Sequence, residues 1–162
     1  MSSRVEKLAR RGVGEVRRRR LESGESGWGA PVLPPPVLPA GADVPHRVAV
    51  VGAGRQGGRM AVAVTEVEGA ELVGLADLDA ERRADLGAQV GLGPEQLHGD
   101  AAAMFASTPI DLAIVATTAP SHVVIGRMAK EAGIRRILLE KPIDNDFEEA
   151  RAFVDECRAD RV

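Results

Sequence analysis

Four apolar residues, Val48-Ala49-Val50-Val51, run without interruption into Gly52-Ala53-Gly54-Arg55-Gln56-Gly57, and this junction constrains the fold more than any other part of the chain. A short apolar run with no polar alternation is the pattern of a strand covered on both faces. The three glycines that follow have separable physical duties. Gly52 permits a tight turn, Gly54 lets the backbone approach a pyrophosphate, and Gly57 lets the next helix close on the strand. The free amides at the start of that helix, around Arg55 and Gln56, then point at the anion. Asp77 ends the next apolar run, Leu72–Ala76, twenty residues past Gly57. A carboxylate there can accept hydrogen bonds from both hydroxyls of an adenosine ribose and repels a 2′-phosphate. The junction therefore reads as a dinucleotide site that favours NAD over NADP.

The rest of the chain alternates in the same style. The pattern predicts helices at about Gln56–Val67, from the Asp79 cap to Val90, from the Asp100 cap to Ser107, and at Ser121–Ala132 before Gly133. Between them it predicts strands at Gln96–His98, Leu112–Ala116 and Ile137–Leu139. Asn145 and Glu148 are spaced as a capping box for a last helix, with Ala150, Phe153, Val154 and Cys157 on one face. Buried strands alternating with amphipathic helices specify an α/β fold: a doubly wound, Rossmann-type parallel sheet of about five strands. Right-handed crossovers bring the strand C-termini to one edge, where a ligand sits.

The sequence divides near residue 46. Residues 1–45 carry eight Lys or Arg against five Asp or Glu and include the proline-rich stretch Pro31–Pro45. They read as a disordered, basic and proline-rich tail, with Trp28 as an isolated linker aromatic; translation starting nearer Val44 is an alternative reading. Residues 46–162 form the expected folded domain. It is acidic, and the net charge of −3 for the whole chain gives no reason to expect nucleic acid as a partner. A single cysteine excludes an internal disulfide framework, and no apolar run is long enough to span a membrane. The expectation is a cytoplasmic protein with no metal site.

Two further loops fall on the ligand edge. Thr117-Thr118-Ala119-Pro120-Ser121-His122 follows the fourth strand, and its small hydroxyl residues suit close approach to a ribose. His122 on its own reads more readily as a structural histidine than as a ligand contact. Glu140-Lys141-Pro142 follows the fifth strand, and a charged pair directly after a buried apolar strand calls for a reason. Taken together, the Arg47–Gly57 run, the strand ending in Asp77, the Ala116–His122 loop and Glu140-Lys141-Pro142 resemble the N-terminal domain of the Gfo/Idh/MocA oxidoreductases. The resemblance covers about Arg47 to Val162.

That resemblance implies nicotinamide-cofactor chemistry at a sugar or cyclitol hydroxyl. It implies that Glu140 and Lys141 line the nicotinamide ribose, and that Lys141 is catalytic, stabilising the alkoxide that develops as hydride leaves. Thr117, Thr118, Pro120 and His122 match the family's second cofactor-contacting segment. Members of the family continue with a sixth strand and a sheet-rich domain that carries most substrate contacts and an Asp/His pair, whereas this sequence stops at Val162. The expectation is a cofactor-binding half. It would meet a polyol only if a second domain or subunit is supplied, and its open fifth strand invites self-association. A stand-alone nucleotide-binding or redox-sensing module, and a truncated remnant without activity, remain open as alternatives.

Overall fold

A computed structural model describes residues 44–162, so most of the expected tail, with Trp28, lies outside the described residues. The elements in chain order are β1 (His46–Val51), α1 (Arg55–Glu66), β2 (Ala70–Ala76), α2 (Ala80–Val90), a short 3₁₀ turn (Pro94–Gln96) and β3 (Leu97–His98). They are followed by α3 (Ala101–Ser107), β4 (Leu112–Val115), α4 (Ala119–Glu131), β5 (Ile137–Leu139) and α5 (Phe147–Asp160). All strand pairings are parallel, in the order β3-β2-β1-β4-β5. The expected doubly wound sheet of five strands is the observed one.

The period-two geometry of β1 explains why an apolar run belongs at its centre. Val48 and Val50 join Ala61, Val64, Leu75 and Leu86 in a core layer under α1 and α2. The intervening Ala49 and Val51 join Met104, Phe105, Ala129 and Ile134 in a second layer under α3 and α4. Both faces of the strand are thus buried, and no polar residue could be tolerated at any of these four positions without a buried partner.

The helix signals differ from expectation in detail. Asp79 and Asp100 cap α2 and α3 as expected, their carboxylates accepting backbone N–H bonds from the first turn. The last helix departs by one residue. Its cap is Asp146, which accepts from the amides of Glu148 and Glu149, and not Asn145. Asp and Asn are near-equivalent caps, so adjacent candidates cannot be separated from local sequence. Of the expected inner face of α5 only Phe153 is fully buried. Its ring stands where a Cβ on Gly126 of α4 would come within 2.7 Å of it, so a glycine is what lets α5 dock. Around this knob, Arg127 of α4 bonds both Glu149 and Glu156, and Lys130 reaches Glu156 and Asp160.

At the N-terminal edge of the sheet, Asp111 ties β1 to the start of β4. It accepts from the Arg47 amide at 2.9 Å and from both the Nε and Nη2 of the Arg47 guanidinium. The Arg47 side chain, and then its amide, hold the Asp111 carboxyl well below the usual carboxylate range.

Candidate functional site

The strand order reverses at β1: β2 lies on one side of it and β4 on the other, so the loops after β1 and β4 diverge and leave a crevice. Each loop on that edge begins with one more rung of the sheet. Gly52 donates to Ala76 at 2.7 Å, Ala116 to Val51 at 2.8 Å, Asp77 to His98 at 3.2 Å and Glu140 to Val115 at 2.9 Å. The sheet therefore fixes where each candidate residue starts, although the residues themselves sit on loops.

Steric contacts account for two of the three glycines. Gly52 has φ +104°, and a Cβ there would lie 2.7 Å from the Ala116 carbonyl oxygen. At Gly57 a Cβ would lie 1.8 Å from the Gly52 carbonyl oxygen, so α1 packs against the turn with no room for a side chain. Gly54 is different. A Cβ there meets nothing within 4 Å. No protein atom stands against a Cβ at Gly54, and its backbone borders the open cleft, as a bound pyrophosphate requires.

That cleft, of about 600 Å³, is lined by Gly52, Gly54, Arg55, Gln56, Asp77, Thr117 and Thr118. Gly52 and Gly54 lie in the glycine turn, Arg55 and Gln56 in the first turn of α1, Thr117 and Thr118 in the loop after β4, and Asp77 directly follows β2. The Asp77 carboxylate also holds the glycine turn in place: one oxygen accepts from the Ala53 amide at 2.6 Å, the other from the Asp79 amide at 2.8 Å. After β4, the Thr117 and Ser121 hydroxyls bond each other at 2.8 Å, and Ser121 also bonds the Thr118 carbonyl. Pro120 stands in the first turn of α4, where its missing N–H costs nothing.

Glu140 stands outside the cleft lining but is joined to it, because Gln56 donates to its Oε1 at 2.9 Å across the site. The Gln56 side chain, and then the Lys141 amide, lower the Glu140 carboxyl from its ordinary value, so it stands ionised. Lys141 is exposed beside it and forms no ion pair among the described residues. His122 is only 1% exposed and lies beneath the loops, so it does not face the cleft.

The sequence reading missed the apolar wall. Ile125 and Met128, with the already noted Ser121 a turn before them, line the cleft from α4, together with Ala101 and Ala102 of α3. Their spacing of four and three is helical and could have been read as a face. Both layers of core use the same residue types, however, and nothing local marks this face as bordering a cleft.

Donor set and shape fit a dinucleotide. Amides at a helix start face open space, a carboxylate stands at the end of β2, and an apolar slot flanks them. Fold and cleft together define the nucleotide-binding domain of a nicotinamide-dependent oxidoreductase. Comparison with known proteins gives the family. The family model for an oxidoreductase family with an NAD-binding Rossmann fold, Gfo/Idh/MocA, matches residues 46–162, and the chain belongs to that family.

A D-apiose dehydrogenase from Paraburkholderia graminis is 40% identical over 92 residues, which is 57% of this chain and 24% of that protein. An oxidoreductase from Agrobacterium radiobacter, solved with NAD⁺, L-tartaric acid and magnesium, superposes with a TM-score of 0.67 at 30% identity, covering 72% of this chain and 33% of that one. A putative myo-inositol dehydrogenase from Sinorhizobium meliloti superposes with a TM-score of 0.65 at 28% identity, over 72% of this chain and 34% of that one. The matched region thus spans about a quarter of the curated relative and a third of each solved one. Among the described residues no helix is long and apolar enough to cross a membrane.

Proposed function

We propose that residues 46–162 hold NAD(H) for hydride transfer at a sugar or cyclitol hydroxyl, with the polyol walled in by protein outside these residues. The observation that carries this reading is the open space before Gly54, set between the fixed turn at Gly52 and the Asp77 carboxylate. NAD⁺, when bound, supplies the hydride acceptor. The chain's own residues bind and orient. The amides at the α1 start take the pyrophosphate, and Asp77 takes the adenosine ribose while disfavouring a 2′-phosphate. Thr117, Thr118 and the start of α4 at Pro120 border the middle of the cofactor. Glu140 and Lys141 face the nicotinamide ribose. Lys141, a flexible cation without an ion-pair partner among the described residues, stabilises negative charge on the substrate oxygen.

Two partner readings follow from this geometry. The sheet ends at β5, which pairs with β4 and with no strand beyond it among the described residues, and its Leu138 is 42% exposed. This edge accepts either the rest of the substrate-binding protein or a second copy of the chain. The compartment proposed is the cytoplasm.

Titrating the full chain with NADH, followed by nicotinamide fluorescence, tests the proposal. Saturable binding is expected, together with a loss of roughly tenfold or more in Gly54→Val, whose side chain fills the space the pyrophosphate needs. Since a Cβ there meets nothing within 4 Å, the melting temperature should stay near that of the parent. Equal affinity in the two proteins would sink the reading.

A further inference from the structure

We propose that His122 is a positioning residue that fixes the Lys141 loop from below, through the carbonyl of Pro142. The proposal rests on the nicotinamide-cofactor reading above and names the residue on which the nicotinamide end of that site depends.

His122 is the buried polar side chain of the described fold, with 1% exposure. Its ring lies between the two loops that border the cofactor cleft. Nδ1 is 2.8 Å from the Pro142 carbonyl oxygen, and Nε2 is 3.2 Å from the Thr117 carbonyl oxygen. A carbonyl only accepts, so each contact needs a proton on the ring nitrogen. Of the two contacts, the one from Nδ1 to Pro142 is the shorter. The stronger bond therefore goes to the loop after β5.

That loop has little else to hold it. Glu140 is fixed twice, by the Val115 carbonyl and by Gln56. The Lys141 amide bonds only the neighbouring Glu140 side chain, and the Asp146 amide bonds Asp144. Among the described residues, the His122–Pro142 bond is the one hydrogen bond that ties residues 141–145 to an element outside the loop's own flanks. Proline has no N–H, so its carbonyl is its whole backbone hydrogen-bonding capacity, and His122 takes it. Releasing it frees the residue next to Lys141 while leaving the glycine turn, Asp77 and Glu140 anchored by bonds of their own.

The experiment compares two near-isosteric replacements in the full chain. In His122→Asn the side-chain amide nitrogen falls near the place of Nδ1 and keeps the bond to Pro142. In His122→Gln it falls near the place of Nε2, keeping Thr117 and losing Pro142. Calorimetric titration with ADP reads the glycine turn and Asp77 alone, and titration with NADH adds the nicotinamide end. ADP affinity is expected to match the parent in both variants. NADH affinity is expected to fall roughly tenfold in His122→Gln, the worth of one buried hydrogen bond, and to stay within about twofold in His122→Asn. Equal NADH affinity in the two variants would overturn the proposal. So would loss of ADP binding in both, which would mean that His122 holds the domain as a whole and not this loop. A parent chain that binds neither ADP nor NADH would bring down the cofactor reading itself.

Discussion

Replacing Asp77 by Asn separates two duties of one side chain. In the parent, two backbone amides, from Ala53 and Asp79, converge on opposite oxygens of the carboxylate. Asn keeps a single acceptor oxygen, so its NH₂ must face one of the two N–H groups. One amide is left without a partner and the other loses the charge that strengthened its bond. For this half-buried group the combined cost is about 1–2 kcal/mol. With the unfolding entropy of a domain of this size, that lowers the melting temperature by about 4–8 °C. The second effect is electrostatic. A carboxylate roughly 5 Å from a doubly charged 2′-phosphate repels it by roughly 1.5 kcal/mol even at the dielectric of water. Removing that charge should move the NADPH-to-NADH affinity ratio toward NADPH by about tenfold. Scanning calorimetry and parallel titrations with the two reduced cofactors measure both numbers. A fall in melting temperature with an unchanged ratio would refute the specificity role of Asp77. An unchanged melting temperature would refute its role as the clasp of the glycine turn.

Phe153→Ala empties the contact between α5 and Gly126, and should cost about 3–5 kcal/mol in urea unfolding; a loss below about 1 kcal/mol would show that the ion pairs of Arg127 and Lys130 hold α5 without the knob. Asp111 has a carboxyl held below its unfolded value of 3.8 by Arg47, so its stabilisation is fully present above that pH and is lost as pH falls toward the folded value. Asp111→Asn should therefore lower the urea midpoint at pH 7 and flatten its decline below about pH 4; parallel pH profiles for parent and variant would contradict the pairing.

Strand β1, the glycine turn and Asp77 could be read from sequence because steric and hydrophobic demands there leave few choices. At Gly57 a single carbon would lie 1.8 Å from a carbonyl oxygen, and such positions announce themselves. The two-residue strand β3 was harder: it has too few residues to show a period, and its bounds come from pairing with Leu75 and Ala76. The bond from Gln56 to Glu140 spans 84 residues, and no local pattern records it. His122 could be placed on its helix but not between its two carbonyls, since the Pro142 contact depends on where β5 delivers the following loop. Local chemistry thus marks the positions whose own backbone shapes the cleft. It does not mark the contacts that join one loop to another, such as Gln56 to Glu140 and His122 to Pro142.

The central place of β1 also sets an order of assembly. Its pairing with β2 closes a short loop, with His46 beside Ala70. Its pairing with β4 closes a much longer one, as the 64-residue span between Arg47 and Asp111 records. Short closures cost less entropy and come first. The β1–α1–β2 unit, carrying the glycine turn and Asp77, can therefore form while the chain beyond it is still unfolded. The opposite bank, from Thr117 to Lys141, arrives only with the later closure. A nucleotide's phosphates and adenosine would find a landing place on a half-built domain, whereas its nicotinamide end would find one only when the sheet is complete.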